Sequence, residues 1–253
     1  MKKFLIAAAL GAAAVATIYF LLPDDEPKKT KKTKKEEPAE ETKPLTDAEK
    51  VKIEYEALNN TVRQSDGATF QSVTIPVPNP IRITTCEEAV EKMEGTGVFY
   101  FGANWCPWCR NLLPVLCDTC TKMGIDPIYY VNLDSDKSLY KIENDELVQT
   151  QAPSEAYKKL VEKVDACCVD FVLHEGDKEY NTGERRIGLP TVAVFKEGVL
   201  INHHIGTVDL EEGQTKYSPL SDVQTVKLEL ALEDKLKSVA TAAAETCGEN
   251  GCF

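Results

Sequence analysis

At 253 residues the chain has room for one or two domains, and 43% hydrophobic residues are enough to build a core. It carries 29 Lys/Arg against 41 Asp/Glu, a net charge of −12, and beyond residue 50 there are 32 acids to 19 bases. An acidic body of this kind excludes a nucleic-acid-reading surface, and nine cysteines point to an oxidising compartment rather than a reducing cytosol.

Met1-Lys2-Lys3 is a short basic start, followed by a 19-residue uncharged run from Phe4 to Leu22. As a helix that run is about 28 Å long, close to the thickness of a bilayer core. A cleaved signal peptide is the rival reading. Cutting after Ala14-Val15-Ala16 would leave an apolar stump, so residues 1–22 are expected to be an uncleaved membrane anchor. Lys2 and Lys3 favour an inside N-terminus, while the lysines between 28 and 35 argue the reverse. The signal-like start and the cysteine usage place the body outside the cytoplasm. Residues 23–45, rich in Lys, Glu, Pro and Thr, are expected to form a disordered tether.

Thr46-x-x-Glu49 is a capping box, and Val51, Tyr55, Leu58 and Val62 follow at helical spacing. Ala68 to Ile75 alternates weakly as a strand, ended by Pro76, Pro78 and Pro80. Residues 46–80 form an extension ahead of the first core strand, Ile81 to Ile83. Thr85-x-x-Glu88 caps the next helix, which ends near Gly95, with Cys86 as a structural residue in its first turn.

Val98 to Phe101 is an apolar, aromatic strand. It leads into Trp105-Cys106-Pro107-Trp108-Cys109 and a helix from Cys106 to about Met123, closed by Gly124. Only a thiolate is nucleophilic, and a helix N-terminus favours it by offering free N–H groups and the positive end of the dipole. Pro107 suits the first turn, where a missing N–H costs nothing. Cys106 is thus the candidate attacking thiol and Cys109, one turn on, the candidate resolving thiol. The competing reading of Cys-x-x-Cys is half of a zinc site. A second pair, Cys117 and Cys120, sits mid-helix. Small part-buried side chains, a disulfide to another cysteine and a second redox or metal pair are its alternatives.

Ile128 to Leu133 is the next strand. Residues 135–187 then hold a helix capped by Ser154 and a strand–turn–strand of Cys168–His174 and Lys178–Thr182. Cys167 and Cys168 are adjacent, so each has a different partner or none. Gly188-Leu189-Pro190 precedes a hairpin of Thr191–Phe195 and Val199–Ile205. His203 and His204 read as edge residues rather than a metal site. Pro219 opens the last helix, with Leu228, Leu232, Leu236 and Val239 as its apolar stripe. The tail, 244–253, contains Cys247 and Cys252. It reads as a local disulfide loop or free thiols, with a thiol shuttle to Cys106–Cys109 as the sharper alternative.

Two stretches in the right order, Trp105-Cys106-Pro107-Trp108-Cys109 with Pro114 behind it and Gly188-Leu189-Pro190-Thr191 with its following strands, resemble the thioredoxin superfamily. The resemblance implies an α/β thioredoxin-like fold, a central mixed sheet flanked by helices. That fold would occupy residues 46–243, with the 135–187 segment as an insertion before a cis-proline at Pro190. It also implies thiol–disulfide exchange on protein thiols and disulfides, with Cys106 attacking, Cys109 resolving, and Trp105 and Pro190 shaping the substrate surface. No cofactor beyond the dithiol is needed, and an electron donor at the membrane is a further candidate partner. Gly176 to Arg186 leading into Pro190, with the anchor, is similar to membrane-anchored bacterial proteins of the bacteriocin-transport-accessory type. Two positions depart from the family. Tyr100 stands where thioredoxins keep a buried acid, six residues before the first cysteine, and Leu189 precedes the proline. The Pro-Trp dipeptide resembles glutaredoxins more than thioredoxins, without a glutathione-binding pattern. The rival reading is a non-enzymatic module of a membrane or export complex, with structural cysteines. Reductase, oxidase and isomerase are not separated by these residues.

Overall fold

The structure, a computed structural model, describes residues 43–64 and 66–240. The expected anchor, nearly all of the tether and the tail with Cys247 and Cys252 lie outside the described residues. Among the described residues no helix is long and apolar enough to cross a membrane.

The first helix, α1 (Asp47–Glu56), opens with the expected capping box: Glu49 N–H donates to Thr46 Oγ1 at 3.2 Å, and Thr46 N–H donates to Glu49 Oε2 at 2.7 Å. It buries Ala48, Val51 and Tyr55 on one face. It stops earlier than the spacing predicts. Asn60 takes a φ of 58°, and Val62 forms an isolated bridge with Thr69 instead of a fourth helical contact. Ala68 to Ile75 is not the expected strand. Its backbone is held by side chains: Asn59 brackets Val73, donating to its carbonyl at 2.9 Å and accepting from its N–H at 3.0 Å, and Glu56 accepts from Ile75 N–H at 2.9 Å. Those bonds satisfy groups that would otherwise need a neighbouring strand.

A five-stranded mixed sheet forms the centre: β1 (Ile81–Ile83), β2 (Gly97–Phe101), β3 (Ile128–Val131), β8 (Thr191–Lys196) and β9 (Val199–Ile205), in the order β1-β3-β2-β8-β9. β3 runs parallel to β1 and β2, and β8 and β9 are antiparallel. This is a mixed α/β fold with helices on both faces of the sheet. β2 lies in the middle, and Val98, Phe99, Tyr100 and Phe101 are all fully buried. Because successive side chains point to opposite faces, one strand supplies two cores. Val98 and Tyr100 join Leu112, Leu113 and Leu116 of α3 (Pro107–Lys122) and Leu228, Leu232 and Leu236 of α5 (Asp222–Leu236). Phe99 and Phe101 join Ala89 of α2 (Cys86–Lys92), Met93 and Leu160 of α4 (Glu155–Lys163). Each buried Phe contributes about 1.5–3 kcal/mol. The Thr85–Glu88 capping box and the Ser154 cap form as expected. α5 is capped by Ser221 rather than opened by Pro219, and Val239 lies in a short 3-10 turn.

The 135–187 segment also holds a hairpin absent from the sequence reading, β4 (Leu139–Glu143) and β5 (Glu146–Gln151). Its turn residues Asn144 and Asp145 both have positive φ, 52° and 69°, as a tight two-residue turn requires. The second hairpin, β6 (Cys168–Glu175) and β7 (Lys178–Ile187), runs five residues beyond the expected end at Thr182. Gly183, with φ 72°, lies where the ladder shifts register and lets the strand continue as a bulge. Glu184 joins the hairpins, accepting from Tyr140 Oη at 2.6 Å, from Gln149 Nε2 at 3.3 Å and from Ser138 Oγ.

The pairing of β2 with β8 sets the site. Phe101 at the end of β2 lies opposite Thr191 at the start of β8. The chain leaving β2 towards α3 therefore passes directly beside Leu189 and Pro190.

Candidate functional site

Cys106 is the N-cap of α3, with Pro107 in the first turn. Its side chain is 5% exposed, and Cys109 is fully buried. Trp105 is 38% exposed and Trp108 is half-buried beside them. The Leu189–Pro190 peptide is cis, Pro190 is buried, and Cys106 Sγ lies 3.8 Å from the Leu189 carbonyl oxygen. The four residues singled out from the sequence, Trp105, Cys106, Cys109 and Pro190, thus converge on one spot.

The two thiols sit in opposite electrostatic settings. Cys106 is held below the ordinary thiol range, first by a hydrogen bond from the Cys109 thiol, then by the N–H groups of Cys109 and Trp108 and the charge of Arg63, with burial opposing. These N–H groups are unpaired donors of the first helical turn, so the sequence expectation for this position has a physical basis. Cys109 is pushed well above its ordinary value, first by burial and then by its bond to Cys106.

None of the seven described cysteines is in a disulfide, and all seven are buried. Burial raises Cys86, Cys117 and Cys167 to about 12 and Cys168 to about 11, and it raises Cys120 as well. Cys106 alone among them is shifted towards the thiolate. His203 and His204 lie in β9 opposite Ala193 and Val192. Burial lowers the His204 imidazole and favours its neutral form. Among the described residues no three His, Cys, Asp or Glu side chains cluster as a metal-ligand set.

Several neighbours of the site, Arg63, Arg110, Asp134 and Lys137 among them, were not singled out from the sequence. Trp105 is oriented through its indole N–H, which donates to Asp134 Oδ2 at 2.7 Å, while Lys137 lies 5.0 Å over its ring. Arg63 Nη1 donates to the Trp105 carbonyl at 3.3 Å. Leu58, Val62, Arg63, Phe70 and Trp105 line a shallow groove next to the thiols. Arg110, one residue past Cys109, is fully buried, and among the described residues no carboxylate pairs with it. Its guanidinium donates to the carbonyls of Tyr55 at 2.8 Å, Asn104 at 3.1 Å and Gln71 at 2.8 and 3.1 Å, and to Asn59 Oδ1 at 2.6 Å. It ties the 46–80 extension to the loop that carries Cys106. A large cation placed immediately after a Cys-x-x-Cys, on an otherwise apolar helix face, was the available clue.

Behind Cys109 lies a cluster of three tyrosines. Tyr100 shares the buried core with Cys109 and lies 3.1 Å from Tyr55, oxygen to oxygen. The Tyr100 and Tyr130 rings stack at 5.5 Å, and Tyr55 meets Tyr130 edge-on at 6.4 Å. Tyr130 Oη donates to Glu54 Oε1 at 3.4 Å. Burial raises all three phenols, and it also raises Glu54, against the hydrogen bond from Tyr130. The Tyr100 ring folds under the active-site loop, where a Cβ at Gly102 would collide with its phenol.

No family model matches the sequence, and no curated protein does. Three solved thioredoxins are similar in structure. Thioredoxin O2 from Arabidopsis thaliana, in its oxidised state, is 17% identical over 65% of this chain and 98% of its own, with a TM-score of 0.35. Thioredoxin O1 from the same plant, also oxidised, is 16% identical over 64% and 100%, with a TM-score of 0.32. The Malassezia sympodialis thioredoxin Mala s 13 is 15% identical over 62% and 91%, with a TM-score of 0.32.

Proposed function

We propose that this protein is a thioredoxin-like thiol–disulfide oxidoreductase that acts on protein substrates through Cys106 and Cys109. One observation carries the reading: of the seven described cysteines, only Cys106 is drawn towards its thiolate, at a helix N-terminus and one turn from a second thiol. In this reading the Cys106 thiolate attacks a substrate disulfide, one substrate sulfur leaves as thiolate, and a mixed disulfide forms. Cys109 then attacks the Cys106 sulfur, releasing the second substrate thiolate and closing the Cys106–Cys109 disulfide. Two electrons pass from dithiol to substrate, and the reverse sequence oxidises a substrate dithiol. Trp105 and Pro190 border the sulfur and supply the surface on which a substrate backbone would lie. The uncharged run Phe4–Leu22 and the cysteine usage support a membrane-anchored protein whose body faces outside the cytoplasm. The Gly176–Arg186 segment supports kinship with bacteriocin-transport-accessory proteins.

The test is the reduction potential of the Cys106–Cys109 couple in the full chain, read by thiol trapping in defined redox buffers. A value near about −270 mV identifies a reductase that needs an electron donor, and one near about −120 mV a disulfide donor. Absence of a reversible couple at these two cysteines overturns the enzymatic reading in favour of a binding module.

A further inference from the structure

Beside the dithiol the protein presents apolar surface that its own core does not cover. Leu58, Val62, Phe70 and Trp105 line a groove of about 380 Å³, with Val62 64% and Trp105 38% exposed. Trp105 directly precedes Cys106, so the groove opens one residue from the candidate attacking thiol. We propose that this groove is a subsite for an apolar side chain of the polypeptide substrate, one that flanks the cysteine whose disulfide Cys106 attacks. This deepens the oxidoreductase reading above and rests on it.

Most of the groove comes from the loop after α1, and it is held in shape before any substrate arrives. Phe70 is 7% exposed and is faced by two guanidinium groups, Arg63 at 5.4 Å and Arg110 at 5.6 Å from its ring centre. Arg63 Nη1 donates to the Trp105 carbonyl at 3.3 Å, which ties this wall to the active-site loop. Residues 61–63 and 68–70 run as a short antiparallel pair. Arg63 N–H donates to the Ala68 carbonyl at 2.8 Å, and Phe70 N–H to the Thr61 carbonyl at 2.9 Å. These two bonds flank the Val62–Thr69 bridge, so the Val62 N–H and carbonyl face away from Thr69. An extended chain can bond such an edge while one of its side chains enters a pocket beside it.

Chemistry and size select the occupant. Arg63 also lines the groove, but Asp66 Oδ1 meets its Nε at 3.2 Å, and Asp66 in turn accepts a hydrogen bond from Tyr217 Oη. With that charge matched, the groove gains more from covering apolar surface than from holding a carboxylate. Thr61 and Gln64 are exposed at its rim. The volume lies at the low end of ligand-sized clefts, about 300–1,000 Å³, and suits one or two side chains. A second copy of the chain fits less well, because a stable interface takes about 20–30 residues a side and the groove is far smaller.

The test uses the reduced full chain, carrying Cys247→Ser and Cys252→Ser to silence the tail. Each peptide substrate holds one cysteine as a mixed disulfide with thionitrobenzoate, with Leu, Ser or Asp beside it. The Cys106 thiolate attacks the peptide sulfur, the bond from that sulfur to thionitrobenzoate breaks, and the coloured thiolate leaves as the reporter. Cys109 then attacks Cys106 and frees the peptide thiol. In the parent chain the Leu peptide should react about tenfold faster than the Ser peptide at limiting concentration. Val62→Asp should bring that ratio to about one, and Val62→Lys should make the Asp peptide faster than the Ser peptide. A newly gained preference is not a product of misfolding. A ratio near one in the parent, or the parent order of peptides kept in both Val62 variants, overturns the subsite alone. A parent dimer that Val62→Asp returns to monomer, read by sedimentation, puts a second copy in the groove and overturns it as well. If the reporter is released at the parent rate in Cys106→Ser, Cys106 is not the nucleophile, and the oxidoreductase reading fails together with the subsite.

Discussion

Two thiols one helical turn apart need different environments if one is to attack and the other to wait. Cys106 sits at the start of α3, where the Cys109 thiol and the N–H groups of the first turn lower its pKa, while Cys109 is packed among Tyr100, Leu112 and Leu113 with its charged form disfavoured. The asymmetry follows from position on the helix, since the dipole and its free donors act within the first turn. Alkylation of the full chain by iodoacetamide should accordingly modify Cys106 first. Its rate should rise with pH about a midpoint below the ordinary thiol value of about 8.5. Peptide mapping that finds another described cysteine modified first, or a midpoint at or above that value, would refute the assignment.

At the scale of elements, α1 and the following loop are part of the site rather than an appendage. Arg110 gathers the carbonyls of Tyr55 and Gln71 from the extension and that of Asn104 from the loop ahead of Cys106. Replacing it by Met keeps the apolar stem but removes the donors of the Gln71 and Asn104 carbonyls, while the Tyr55 carbonyl keeps the Leu58 N–H at 3.4 Å; each carbonyl left unpaired costs about 1–3 kcal/mol. Arg110→Met should lower stability to urea by about 3 kcal/mol or more. A loss below about 1 kcal/mol would show that these carbonyls find other donors. Lys cannot substitute, because one ammonium does not reproduce a planar fork reaching acceptors on three segments.

For the whole molecule, the central strand makes the two faces of the sheet interdependent. Val98 and Tyr100 face α3, α5 and the α1 side, where Val51, Tyr55 and Ile75 complete the core, while Phe99 and Phe101 face α2 and α4. A chain lacking residues 44–75 would uncover the Tyr100 face and strip Arg110 of most of its acceptors. Its thermal unfolding, followed by circular dichroism, should lose cooperativity. A sharp transition near that of the full chain would show that the extension is dispensable. The two hairpins of the 135–187 segment are joined to each other through Glu184 and through Lys178, which pairs with Asp145 at 2.5 Å. They have mostly exposed or half-buried side chains, unlike the sheet they adjoin.

Local chemistry was legible in the sequence wherever one turn or one strand decides the outcome. Thr46–Glu49 and Thr85–Glu88 specify helix starts through reciprocal bonds across three residues, and Cys106-Pro-Trp-Cys109 after Val98–Phe101 places thiols at a helix N-terminus. The five core strands were visible as short apolar runs, and their mixed sheet followed the resemblance. The β4–β5 hairpin escaped because its polar, half-exposed strands carry little apolar contrast, and Ala68–Ile75 read as a strand because its pattern cannot tell a sheet partner from the side chains of Asn59 and Glu56. Tyr55, Tyr100, Tyr130, Glu54 and Arg110 come from four separate elements, α1, β2, α3 and β3. Their sequence separations run to 76 residues between Glu54 and Tyr130, and no local pattern encodes such a meeting. The sequence by itself determined that a helix-start dithiol exists. Only the tertiary structure decided what surrounds the buried thiol, because proximity across a sheet is set by strand order and packing rather than by neighbours in the chain.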